Sequence, residues 1–163
     1  MTHLLTILGF LFVAQAQPEI RPFALPAKPG QQIYPDHCPI RFEVDLGVFP
    51  KHSESWSFKG PDIVTCHGVR LDELKLRMTR GGKFAGQYSL TIRAKVHVPP
   101  GNDRMILIKA TVADKEASQT FEADEDESSW DKPLDLPVRG KAGGKILPLM
   151  LEIKASPSVY PGF

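Results

Sequence analysis

Residues 84–98, FAGQYSLTIRAKVHV, carry the pattern that decides the fold. Tyr88, Leu90, Ile92, Ala94, Val96 and Val98 take every second position, with Ser89, Thr91, Arg93, Lys95 and His97 between them. Successive side chains of an extended backbone point to opposite faces, so this spacing sets an apolar row against a hydroxyl and cationic row. A helix would scatter both rows around its circumference, and the period of two therefore reads as a strand.

The same period recurs on both sides of this stretch. Upstream, Leu74, Leu76 and Met78 alternate and are followed by Arg80-Gly81-Gly82, which predicts a hairpin. A three-residue loop with Gly82 left-handed keeps the faces matched, setting Met78 opposite Phe84 and Leu74 opposite Tyr88. Further upstream, Ile40, Phe42, Val44, Leu46 and Val48 form another inward row. Residues 50–61 hold Trp56 and Phe58 among polar neighbours and read as a short strand or an aromatic-anchored loop.

Downstream, Pro99-Pro100-Gly101-Asn102-Asp103 signals a chain reversal, since proline removes ladder donors and Gly or Asn accepts turn dihedrals. Met105–Val112 is apolar on both parities at its start, as expected of a central strand or one covered on its outer face. A turn at Asp114-Lys115-Glu116 leads to a weaker strand at 117–123, with Phe121 facing Ala110, completing an antiparallel meander. The acidic stretch 122–135, EADEDESSWDKPLD, is expected as an exposed loop because an interior strand cannot hold so many carboxylates. Leu134, Leu136 and Val138 form a short strand and Gly140–Gly144 a turn. Leu147, Leu149, Leu151 and Ile153 make the last row, with Pro148 demoting part of it to an edge or bulge.

With 163 residues, 13 Gly, 15 Pro and 42% hydrophobic residues, the chain has the size of one domain built from many short elements. About seven strands and no amphipathic helix predict an all-β fold, an antiparallel β-sandwich of immunoglobulin-like architecture, with a small barrel as the alternative. The usual immunoglobulin Cys/Trp spacing is missing: 27 residues separate Cys38 from Cys66, and Trp56 lies eighteen after Cys38.

Residues 1–16 read as a secretory signal peptide, with the uncharged apolar run LLTILGFLFV at 4–13 and small residues at Ala14 and Ala16. The organisation expected is then an extended proline-rich leader at 17–37, the sandwich at 38–155 and a tail at 156–163, in a secreted or periplasmic protein. The apolar run falls short of the ~20 residues that span a bilayer, so an integral membrane protein is not expected. Export favours a disulfide between Cys38 and Cys66, a loop closure worth roughly 3.6 kcal/mol in chain entropy.

A formal net charge of +1 gives no footing for nucleic-acid binding, yet it conceals a separation along the chain. Residues 70–109 carry nine Lys or Arg against three acids, and residues 114–135 carry nine acids against two Lys. Lys75, Arg77, Arg93, Lys95 and His97 fall on the polar parity of their strands and form a candidate partner surface for an acidic protein or glycan. Two metal readings stand beside it. His37 and His67 flank the two cysteines and could join them around zinc or copper, although adjacent Cys and His on an extended chain point apart. Asp124, Asp126 and Asp135 fit three positions of a calcium-loop frame, in which Ser129 replaces the required glycine. No GxSxG, HExxH, Walker or dinucleotide motif occurs and no cofactor is implied. The reading is an exported, non-catalytic binding, accessory or structural domain; an exported metal-binding domain is the alternative and a hydrolytic enzyme the third choice.

Overall fold

The structure is a computed structural model and describes residues 19–22, 39–62, 65, 67–81, 86–99, 104–123, 128–130 and 133–157. These form ten strands: β1 (Glu19–Pro22), β2 (Ile40–Asp45), β3 (Glu54–Lys59), β4 (Arg70–Arg80), β5 (Gln87–His97), β6 (Arg104–Val112), β7 (Lys115–Ala123), β8 (Ser128–Trp130), β9 (Leu134–Arg139) and β10 (Leu149–Pro157). One sheet has the order β1-β2-β10-β6-β7, the other β3-β4-β5, with β8 and β9 both pairing the far side of β5. Every pairing is antiparallel.

Alternation is what sorts the chain into two layers. Leu74, Leu76 and Met78 of β4, and Tyr88, Leu90, Ile92, Ala94 and Val96 of β5, are buried, as are Ile106, Ile108 and Ala110 of β6 and Leu149, Leu151 and Ile153 of β10. Each large aliphatic side chain so buried contributes about 1.5–3 kcal/mol, and the rows meet in one core. The result is an all-β fold of two antiparallel sheets, consistent with a sandwich. Ten strands, rather than about seven, arise because β1, β3 and β8 each add a short segment.

Several expectations are corrected. The β4–β5 hairpin pairs Met78 with Leu90 and Leu74 with Ala94, not with Phe84 and Tyr88, and its ladder runs to Arg80↔Tyr88, with Gly81 N–H donating to Gln87 O at 2.7 Å in the same register. The slip of six residues is even and so preserves the faces. It is preferred because Gly86, at φ +83°, breaks the extended chain just before β5, and every large apolar residue of β4 then meets an apolar partner. The inward row of β2 ends at Leu46: Gly47 has φ +73°, after which Val48 is 47% exposed and Phe49 takes the interior place. The last row likewise changes parity, with Ile146 buried and Leu147 56% exposed. Pro148 precedes β10 and leaves it a central strand between β2 and β6 rather than an edge.

No hairpin joins β5 to β6, because they lie in opposite sheets. The β6–β7 hairpin does form, through the two-residue turn Ala113-Asp114, and sets Phe121 opposite Ile106 and Ala117 opposite Ala110. The acidic stretch is no single loop: Glu122 and Ala123 end β7, Ser128–Trp130 pairs Lys95–His97, and Asp135 sits in β9. The expected Cys38–Cys66 disulfide is also withdrawn. Both cysteines lie outside the described residues, and no disulfide staples the described fold. Among the described residues, ladders and core hold these segments: Ile40 pairs Ile153, and Thr65 closes its own turn through a backbone bond to Val69 O of 2.8 Å. The expected signal peptide at 1–16, most of the expected leader and residues 158–163 lie outside the described residues.

Candidate functional site: the cationic face of the second sheet

The polar parity of β4 and β5 forms the outer face of the second sheet, and cross-strand register decides which side chains meet there. Lys75 is directly opposite Arg93, and Ser57 of β3 extends the row on the other side of Lys75. The next row runs Ser55, Arg77, Thr91 and Asp135 across four strands. A third runs Lys59, Glu73 and Lys95, and beyond the bulge between Leu71 and Glu73 a fourth sets Arg70 opposite His97. Residues directly opposite on one face have Cβ atoms about 4.5–5.5 Å apart, and diagonal ones about 7–8 Å, so Lys75, Arg77 and Arg93 form one cluster. They line a shallow hollow of about 510 Å³ together with Ser55, Trp56 and Ser57.

Carboxylates are held at the margins of this cluster, not at its centre. Glu73 accepts a hydrogen bond of 2.8 Å from the Ser57 hydroxyl and lies 3.3 Å from Lys75 Nζ. The Ser57 bond, followed by Lys75 and Lys95, holds its carboxyl below the usual glutamate range against a smaller opposing effect of burial. At the other margin the Thr91 hydroxyl donates to Asp135 Oδ1 at 2.6 Å. Among the described residues neither Arg77 nor Arg93 has a carboxylate partner.

The outer face of the first sheet is arranged differently. Arg41 of β2 is opposite Glu152 of β10 and bonded to it, Lys154 reaches the same carboxylate at 3.0 Å, and Lys109 pairs Glu116 at 2.7 Å. Burial works against ionisation of Glu152, but its bonds with Lys154 and Arg41 outweigh it and keep the carboxyl below its ordinary range. Cations there are matched to anions within the chain.

Lys75, Arg77, Arg93, Lys95 and His97 thus share one face of two adjacent strands. The metal candidates are not brought together. His37, Asp124 and Asp126 lie outside the described residues, His67 is half-buried in the turn before β4, and Asp135 is exposed on β9. Among the described residues no group of three His, Cys, Asp or Glu side chains is placed to hold a metal ion. Sequence reasoning missed the contribution of β3. The signal was present in Ser55-Trp56-Ser57-Phe58, two hydroxyls alternating with two aromatics, but four residues were too few to separate strand from loop.

No helix among the described residues is long and apolar enough to cross a membrane. Comparison of the chain with protein-family models, curated proteins and solved structures finds no match.

Proposed function

We propose that this chain is an exported, non-catalytic binding or accessory domain of immunoglobulin-like sandwich architecture, whose cationic sheet face takes a polyanionic glycan. One observation carries the reading: Lys75 stands directly opposite Arg93, with Arg77 two residues along β4 from Lys75 and diagonal to Arg93. Like charges opposed across a ladder cost stability, and an arriving anion converts that cost into attraction. Exposed Ser55 and the Thr79 hydroxyl at the same hollow supply partners for sugar hydroxyls. Export rests on the apolar run and small residues of 1–16; amino-terminal sequencing of the protein recovered outside the cytoplasm should begin at Gln17, and retention of Met1 there overturns it.

Heparin affinity at low ionic strength tests the glycan reading, with neutral dextran and an acidic peptide as comparison ligands. Retention on heparin that declines with added salt and disappears in the Lys75→Gln/Arg77→Gln/Arg93→Gln variant is expected. Passage through heparin at low salt overturns the reading, and retention on the acidic peptide alone moves it to an acidic protein.

A further inference from the structure

We propose that β3 is a docking edge for a second copy of this chain, the two β3 strands pairing antiparallel about a two-fold axis at Ser57. β3 is the outermost strand of its sheet and, among the described residues, pairs only β4. Gly60 N–H donates to Asp72 O at 2.8 Å, in the same register as Lys59↔Glu73 and Phe58↔Leu74. Hydrogen-bonded and non-bonded pairs alternate along an antiparallel ladder. The main-chain groups of Trp56 and Phe58 therefore point to β4, while N–H and C=O of Ser55, Ser57 and Lys59 point to the open edge.

Other edges carry protection that β3 lacks. β1 is four residues long and ends in Pro22, which has no N–H, and β7 packs alongside β9. The middle of β3, Ser55–Phe58, has neither charge nor proline nor bulge.

The choice of a second copy follows from self-complementarity. A two-fold axis normal to the sheet matches like faces, so opposed residue numbers share parity, and edge-facing groups must meet edge-facing groups. Centring on Ser57 meets both conditions: Ser57 opposes itself, Ser55 opposes Lys59, and Trp56 opposes Phe58 in the non-hydrogen-bonded pairs where side chains approach closest. Centring on Trp56 instead sets the Glu54 carboxylate against Phe58. Trp56 and Phe58 are half-buried at the margin of the core, and the Ser57 register gathers four aromatic rings over both margins. It also puts both cationic hollows on one continuous face, with the two Lys75 residues three strand spacings apart, about 14 Å.

Sedimentation equilibrium of the chain from low to high micromolar concentration tests the edge, in buffer free of polyanion so that the result does not depend on glycan binding. A reversible monomer–dimer equilibrium is expected, weakened at least about tenfold by Ser57→Pro, which removes an edge-facing N–H and leaves the β3–β4 bonds in place. Amide exchange of the unmodified chain gives a second readout: Ser55, Ser57 and Lys59 should slow as concentration rises, while Trp56 and Phe58 are slow throughout. A chain that stays monomeric, a folded Ser57→Pro variant that dimerises equally, or edge amides indifferent to concentration each overturn the proposal. Slowing of those amides by an added peptide of sequence ESWSFK, with the chain itself monomeric, replaces the two-fold dimer with peptide capture.

Discussion

Arg93→Glu should make the protein more stable and worse at binding polyanion. Around position 93 on the outer face stand Lys75 directly opposite, Lys95 two residues along, and Arg77 and Glu73 on the diagonals. Asp135 of β9 is a further diagonal neighbour, so a carboxylate there faces three cations and two anions, with a cation in the directly opposed position. A directly opposed pair contributes roughly 0.2–1 kcal/mol of either sign, so exchanging repulsion for attraction gains about 1 kcal/mol. For a domain of this size that raises Tm by about 2–4 °C. The same substitution changes the hollow by two charges at its centre and should weaken heparin binding at least about tenfold, a loss of about 1.4 kcal/mol. Differential scanning calorimetry and heparin titration at matched low salt read the two effects, and added salt should shrink both. A variant that melts lower than wild type, or holds heparin equally well, refutes the claim that this face is strained by its own charges.

Gly140→Ala should lower stability by about 3 kcal/mol, because an added Cβ would sit 1.9 Å from a Phe49 ring carbon. That ring is buried, packs on Tyr88 at a centroid distance of 4.8 Å, and is tied by backbone bonds to Gly143 and Gly144, so it has no retreat; Phe49→Leu should restore part of the loss in urea melts. Ala113→Gly should stabilise by about 0.5–1 kcal/mol in the same assay, since Ala113 holds φ 54° in the β6–β7 turn. Glu152→Gln should cost about 1 kcal/mol at neutral pH by leaving partly buried Arg41 without its anion. The Glu152 carboxyl is held below its ordinary range, so its contribution is complete above that range and fades as pH falls through the folded-state value; wild type and variant should converge there in acid melts.

Faces were legible in the sequence, and registers were not. Parity alone assigns Leu74, Leu76, Met78 and the Tyr88–Val96 row to the interior, because a side chain's face depends only on its own strand. Which residue it opposes depends on where the turn ends, and any even slip leaves the pattern intact. Parity itself failed where the backbone left the extended region, at Gly47 with φ +73° and ahead of Pro148, exposing Val48 and Leu147. Topology was out of reach for a related reason. β10 inserts between β2 and β6, far from both in sequence, and nothing local to Leu149–Pro157 distinguishes those partners from others.

Register is also what creates the candidate site. In the hairpin expected from the Arg80-Gly81-Gly82 loop, Lys75 would oppose Gln87 and Arg77 would oppose Ala85, leaving each cation beside a neutral residue. The observed slip of six carries Arg93 across to Lys75 and turns a row of ordinary exposed charges into a repulsive pair. Composition cannot account for this, since the first sheet's outer face also carries cations and there sets Arg41 opposite Glu152. On the second sheet's face opposite charges meet in the row Lys59, Glu73 and Lys95, but the register also sets one cation directly against another at Lys75 and Arg93. The core explains part of that difference, because the even slip that best buries Leu76 against Ile92 is also the one that opposes Lys75 and Arg93. Packing sets the register, and the charge conflict it leaves on the outside is open to relief by an anion from solution, which is why the proposed binding is assigned to this face rather than to its counterpart.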